Sequence, residues 1–224
     1  LEEVVLEVNG VGSVSAWHWP ETNLAGGDGP ALVFFPGNGE NLETLRLSGA
    51  LAAFAELGAP YLAAEYPGYG RSDGRASEAA LVDAGVEAAK WMRQRFPDRP
   101  LVVAGWSLGA AVAVQLASRV DAAGLVAMSP WTSLAEIGRP LCPRWLVGMF
   151  VSESSDAEAG APGVVVPSLV VPGSRDEISP VAPGRRIAAA LPAARWVEVE
   201  GAGHNDLLGR RRVWDELRVF LGRF

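Results

Sequence analysis

Short, wholly apolar runs recur along the chain, and between them apolar residues return at every third or fourth position. The first pattern suits strands buried on both faces, the second helices with one buried side. Glu3–Val8 and Ser13–Trp19 differ from both. They carry β-forming residues around the turn signal Asn9-Gly10 and predict an opening β-hairpin. After the break Gly26-Gly27-Asp28-Gly29-Pro30, Ala31–Phe35 is the first apolar strand, followed by a helical stripe through Leu42, Leu45, Leu51, Phe54 and Leu57. Tyr61–Glu65 predicts a strand, Tyr66–Gly74 a glycine-dense loop, and Ser77–Phe96 a long helix with Leu81, Ala84, Ala88, Met92 and Phe96 on one side.

Leu101, Val102 and Val103 form the next strand, leading through Gly105–Gly109 into an alanine-rich helix, and Gly124–Met128 is a further strand. Residues 132–166 are less regular, with Pro140, Pro143 and Pro162 interrupting, and predict one or two short helices around Arg144–Phe150. Strand Ser168–Val171, helix Arg185–Leu191, strand Arg195–Val199 and a final helix through Leu207, Trp214, Leu217, Phe220 and Leu221 complete the chain. Strands alternating with helices predict right-handed βαβ units and a mostly parallel sheet covered on both faces, in one α/β domain over residues 1–224. In such sheets functional groups gather at the carboxyl ends of the strands.

Composition narrows the function. A formal charge of −7 disfavours nucleic acid as a partner, since phosphate binding needs a clustered basic surface. The run Arg210-Arg211-Arg212 reads as a solvated helix face. Cys142 is the lone cysteine, which leaves neither an intrachain disulfide nor a cysteine-based metal site. No apolar run reaches the roughly 18 residues of a transmembrane helix. A cytoplasmic location is expected, with a leader or anchor upstream of Leu1 left open.

The chemistry starts at Gly105-Trp106-Ser107-Leu108-Gly109, a serine between strand and helix. A nucleophile held on so sharp a turn brings neighbouring backbone close, so only glycine fits two residues to either side. A serine hydroxyl needs a histidine to take its proton and a carboxylate to hold the imidazole. His18 lies between two tryptophans in a strand and reads as a surface or edge histidine. His204, in Gly201-Ala202-Gly203-His204-Asn205-Asp206 just past the last strand, is the candidate base. Asp176, directly after strand Ser168–Val171, is the preferred acid, with Glu177 adjacent as an alternative. A tetrahedral intermediate requires preset backbone donors. The candidates are the amide of Leu108 and that of Asn38 in Pro36-Gly37-Asn38-Gly39.

At these residues the chain resembles the α/β-hydrolase superfamily, over nearly its whole length. Phe34–Gly39 resembles the family's oxyanion loop, Tyr66–Ser72 its glycine-rich D/Y-x-x-G-x-G-x-S loop, Gly173–Pro180 its acid loop, and Gly203-His204-Asn205 its histidine loop. Pro36 stands where many relatives have histidine. The chain is most similar to the small serine hydrolases of the acyl-protein thioesterase-like, serine-aminopeptidase-like and lysophospholipase-like groups. The resemblance implies an eight-stranded, mostly parallel sheet with an antiparallel N-terminal strand, and a minimal helical lid-like insertion at about 131–166. It also implies acyl-serine chemistry on a small-molecule acyl substrate, with Ser107, His204 and Asp176 as the triad and no metal or organic cofactor. Trp106, Trp131, Tyr69, Trp145 and Met149 are the candidate pocket residues. Peptidase or amidase chemistry on the same residues, and a non-catalytic binding protein with the same fold, are the alternatives.

Overall fold

The computed structural model describes residues 1–20, 29–131 and 157–224. Its centre is a sheet of eight strands: β1 (Glu2–Val8), β2 (Gly12–Trp19), β3 (Ala31–Phe35), β4 (Tyr61–Ala64), β5 (Leu101–Trp106), β6 (Gly124–Met128), β7 (Ser168–Val171) and β8 (Ala194–Trp196). The spatial order is β1-β2-β4-β3-β5-β6-β7-β8. β2 runs antiparallel to both neighbours, and every other pairing is parallel. The helices among the described residues are α1 (Leu42–Leu47), α2 (Ala50–Ala55), α3 (Glu78–Arg95), α4 (Leu108–Ala117), α5 (Ala157–Gly160), α6 (Val181–Ala190) and α7 (Arg211–Leu221). None is long and apolar enough to cross a membrane.

The apolar runs become the buried middle of the sheet because helices cover both of its faces. Val33, Phe35 and Val103 point into one core with residues of α3, α4 and α6, while Leu32, Phe34 and Val102 point into the other with residues of α1, α2 and α7. Successive side chains of β3 thus feed opposite cores. β5 lies between β3 and β6 and delivers Ser107 to the carboxyl edge of the sheet.

The stripe through Leu42–Leu57 folds as two short helices rather than one. Gly49 takes φ 81° between them, a left-handed step that a continuous helix cannot contain. Asn41 caps the first by a reciprocal box with Thr44. The final stripe also splits, into a 3-10 turn at Leu207–Gly209 and then α7, with Arg210 extended between them. Helix α6 begins already at Val181, since Pro183 is tolerated in a first turn. β8 ends at Trp196, short of the strand expected over Arg195–Val199, although Val197 and Val199 still donate to the carbonyls of Val170 and Pro172. Of the insertion expected at 131–166, α5 and a 3-10 turn at Ala161–Gly163 are described; the helices expected around Arg144–Phe150 lie outside the described residues.

His18 is not at the surface. β1 pairs outside β2, so β2 is no edge, and the imidazole is 2% exposed between the rings of Trp91 at 5.0 Å and Phe96 at 5.7 Å. Nδ1 lies 3.1 Å from Glu2 Oε2, while Nε2 is buried without a partner among the described residues. Burial holds the imidazole below its ordinary pKa, outweighing the bond and charge of Glu2; Arg95 and the N-terminus act with burial. The arginine run is exposed, as expected, and is also paired: Arg210 with Asp206, and Arg212 at 2.5 Å from Glu216, a buried carboxylate that also takes Arg195.

Because the folded pKa of His18 lies below the unfolded value of about 6.5, protons bind the unfolded chain first as pH falls. Stability is complete above that value and declines from there toward the folded pKa. The urea midpoint is therefore expected to fall between pH 7 and pH 5, and His18→Leu to shrink that fall; an equal fall in the variant removes His18 as its cause.

Candidate active site

Ser107 sits on a backbone that only severe local constraint maintains, at φ 57° and ψ −117°. A Cβ on Gly105 would overlap the Gly109 carbonyl and lie 2.6 Å from the amide nitrogen of Ala110. A Cβ on Gly109 would overlap the Phe35 carbonyl and lie 2.6 Å from that of Pro36. Both glycines are thus required by backbone approaching backbone, and the first turn of α4 rests directly on the end of β3. Among the described non-glycine residues, Ser107 and Ser129 are the two with positive φ, and both lie at carboxyl ends of central strands. Such conformations cost about 1–3 kcal/mol each and persist where surrounding structure imposes them.

Three sequence-selected side chains converge here. His204 Nε2 lies 2.9 Å from Ser107 Oγ, and His204 Nδ1 lies 2.8 Å from Asp176 Oδ2. Asp176 Oδ2 also accepts from Ser129 Oγ at 2.7 Å, and Oδ1 accepts from the amides of Ile178 at 3.0 Å and Ser179 at 2.6 Å. Burial pushes the Asp176 carboxyl up, but the bonds from His204, Ser129 and the Ser179 amide outweigh it and hold the group below its ordinary value. Glu177, the alternative acid, makes none of these contacts. The acid and histidine loops are laced by backbone: Ser174 and Arg175 donate to the carbonyls of Val199 and Ala202, and Gly201 donates to Ser174 Oγ at 2.8 Å.

The Pro36–Gly39 loop is braced from the loop after β4. Tyr66 Oη donates to the Pro36 carbonyl at 2.6 Å, and Tyr69 Oη donates to Asn38 Oδ1 at 2.8 Å. Burial raises the Tyr66 phenol well above its ordinary pKa, which keeps it a donor. Glu65, 5% exposed, accepts from the amides of Leu42 at 2.9 Å and Arg71 at 3.1 Å and so joins both loops. Leu108, as the first residue of α4, has an amide with no partner inside the helix. Tyr69, expected as a pocket residue, braces this loop and is not among the residues that line the cavity beside Trp106. Trp106 is buried with its ring 5.2 Å from that of His204, and Trp131 is buried beyond β6. Trp145 and Met149 lie outside the described residues.

Sequence reasoning passed over Ser129, Glu65 and Glu40. The available signal for Ser129 was its place directly after a wholly apolar strand, where Ser107 also stands relative to β5. Glu40 Oε2 faces the Gly37 amide at 3.4 Å beside a cavity of about 640 Å³ that Glu40, Trp106, Asn205 and Trp214 help to line.

A mostly parallel sheet, one antiparallel strand near its N-terminal edge and a serine on a strand-to-helix elbow define the class: this is the α/β-hydrolase fold. The chain belongs to that family, whose sequence profile for the alpha/beta hydrolase fold matches residues 30–153. It is 37% identical over 224 residues to an uncharacterized protein of Mycobacterium tuberculosis, covering 98% of this chain and 78% of that protein. It is 30% identical over 167 residues to human alpha/beta hydrolase domain-containing protein 17B, covering 71% of this chain and 55% of that relative, so it spans about half of it. Among solved structures, the Pyrococcus furiosus esterase Pf2001 matches with a TM-score of 0.80 at 19% identity over 100% of this chain and 92% of that one. Est1E from Butyrivibrio proteoclasticus with ferulic acid bound matches with a TM-score of 0.79 at 17% identity, over 98% of each chain.

Gly105→Ala and Gly109→Ala each force main chain from main chain, which no rotamer change relieves. Each is expected to lose about 3 kcal/mol or more of stability, read as a fall in thermal midpoint; a midpoint equal to wild type shows the elbow to be looser than described.

Proposed function

We propose that the protein is a serine hydrolase that cleaves an ester or related acyl bond through an acyl-serine intermediate. The observation that carries this reading is the buried relay from Ser107 Oγ through both nitrogens of His204 to Asp176. Ser107 Oγ attacks the acyl carbon as His204 Nε2 takes its proton, and the carbonyl π electrons move onto oxygen. The amides of Asn38 and Leu108 hold that oxyanion. When the carbonyl re-forms, the leaving group departs with the proton returned by His204. Water then repeats the sequence on the acyl-serine: His204 takes a water proton, the hydroxide adds, and Ser107 leaves carrying that proton. Asp176 keeps Nδ1 of the imidazole as the donor and stays ionised throughout.

The bonds that hold Asp176 below its ordinary pKa support this role, since a carboxylate that stays charged near neutrality stabilises the imidazolium. The strained backbone at Ser107 supports it further, because such strain is usually kept where a reacting group must be presented. That the fold neighbour Pf2001 is an esterase agrees with the choice of acyl bond.

Hydrolysis of p-nitrophenyl acetate and butyrate is expected for the wild type, with Ser107→Ala lower by about 10³-fold or more. A fluorophosphonate probe is expected to label the wild type and not the variant, and an equally active Ser107→Ala ends the reading. Ser129→Ala removes one charged hydrogen bond from Asp176, on the order of 1.5–3 kcal/mol. Its kcat for p-nitrophenyl butyrate is expected to fall about tenfold or more with KM nearly constant; an unaltered kcat would separate Ser129 from catalysis.

A further inference from the structure

The cavity beside Trp106 has an uneven charge inventory. Arg210 lines it, but its guanidinium is taken up by Asp206 and the Gly201 carbonyl. Glu40 also lines it, and among the described residues it has no arginine or lysine partner, only the long bond from the Gly37 amide at 3.4 Å. Burial pushes this carboxyl above its ordinary value, against the pull of the Gly37 amide and nearby His204. The other walls mix the apolar Ala50, Ala53, Leu208 and Trp214 with Ser48, Asn205 and the paired Asp206, and among the described lining residues Glu40 is the acid without a basic partner. Pockets that combine apolar walls with one placed charge select ligands of opposite charge and matching bulk.

The position of the cavity says which part of a substrate would enter it. In acyl transfer the group that leaves must stand where His204 can protonate it. The cavity is lined by Asn205, next to that histidine, and by Trp106, whose ring lies 5.2 Å from the imidazole, while Ser107 and His204 themselves do not line it. Glu40 stands two residues from Asn38, so an unpaired carboxylate there would oppose the negative charge developing at the oxyanion amides. A cation bound between substrate and wall removes that opposition.

We propose that this cavity receives the leaving group, and that Glu40 selects leaving groups bearing a positive charge: esters or thioesters of ammonium-containing alcohols or thiols. The inference rests on the acyl-serine reading, and it adds the substrate class. Glu40 acts on specificity, and the chemistry remains with Ser107, His204 and Asp176.

Two measurements test it. Butyrylthiocholine and its neutral isostere, the 3,3-dimethylbutyl thioester of butyric acid, differ by one charge at equal shape. The wild type is expected to favour the cationic thioester by about tenfold in kcat/KM, and Glu40→Gln to bring the ratio to about one, whatever its absolute rates. A wild-type ratio of one or less, or the same ratio in the variant, overturns the proposal. Butyltrimethylammonium, titrated against the fluorescence of Trp106 and Trp214, is expected to quench saturably in wild type and in Ser107→Ala and only weakly in Glu40→Gln. Equal quenching in Glu40→Gln, or none in wild type, overturns the cation site without touching the hydrolase reading. If no ester or thioester is cleaved while that quenching holds, the hydrolase reading fails and the leaving-group assignment fails with it.

Discussion

Three backbone segments meet at Ser107 with no room for a side chain between them, and the rest of the molecule is arranged around that contact. The end of β5, the first turn of α4 and the end of β3 approach closely enough that a single methyl group on Gly105 or Gly109 overlaps main-chain atoms. A backbone at φ 57° is unfavourable for serine, so the packing on either side must supply what holds it there. β5 lies between β3 and β6 in the interior of the sheet, and α4 is buried at every position from Leu108 to Ala117. The strain is thus embedded between a strand and a helix that are buried along their whole length.

Outside that centre, order comes from polar groups that the loops exchange. The acid and histidine loops share backbone hydrogen bonds that continue the β7–β8 pairing past its last strand residue. Gly173 makes this possible, since a Cβ there would lie 2.9 Å from the carbonyl carbon of Ala202. Glu65, Tyr66 and Tyr69 do the same work on the other side by tying the loop after β4 to the loop after β3. Buried polar groups that find all their partners rigidify what they join, whereas a missing partner leaves a desolvated group. A site assembled from four loops needs such bracing, because loops have no ladder of their own to fix them.

Two carboxylates near the imidazole have opposite surroundings. Asp176 accepts from a serine hydroxyl, two amides and His204, and lies below its ordinary pKa despite burial. Glu40 has one long amide contact and lies above its own. Environments drive the two like groups apart: hydrogen bonds hold Asp176 toward its charged form, and burial pushes Glu40 toward its neutral one.

Much of this was already written in local sequence. The apolar runs Ala31–Phe35, Gly124–Met128 and Ser168–Val171 became strands at the expected bounds, because an unbroken run of that length finds cover only inside a sheet walled by helices. The glycines flanking Ser107, and the places of Asp176 and His204 in the loops that follow β7 and β8, were legible because each follows from short-range chemistry. Helix continuity was less legible: the stripe through Leu42–Leu57 obeys helical periodicity, yet the left-handed Gly49 breaks it. His18 was misjudged because its neighbours in sequence do not reveal that β1 adds outside β2 or that α3 lays Trp91 and Phe96 over the ring. The partners of Ser129 and Glu65 were hidden for the same reason, since Asp176 and Leu42 lie 47 and 23 residues away along the chain. Sequence by itself determined which strands are buried and which residues could carry a serine-based reaction, since both depend on spacing along the backbone. Only the tertiary structure decided which polar side chains meet, since hydrogen bonds across dozens of residues depend on strand order.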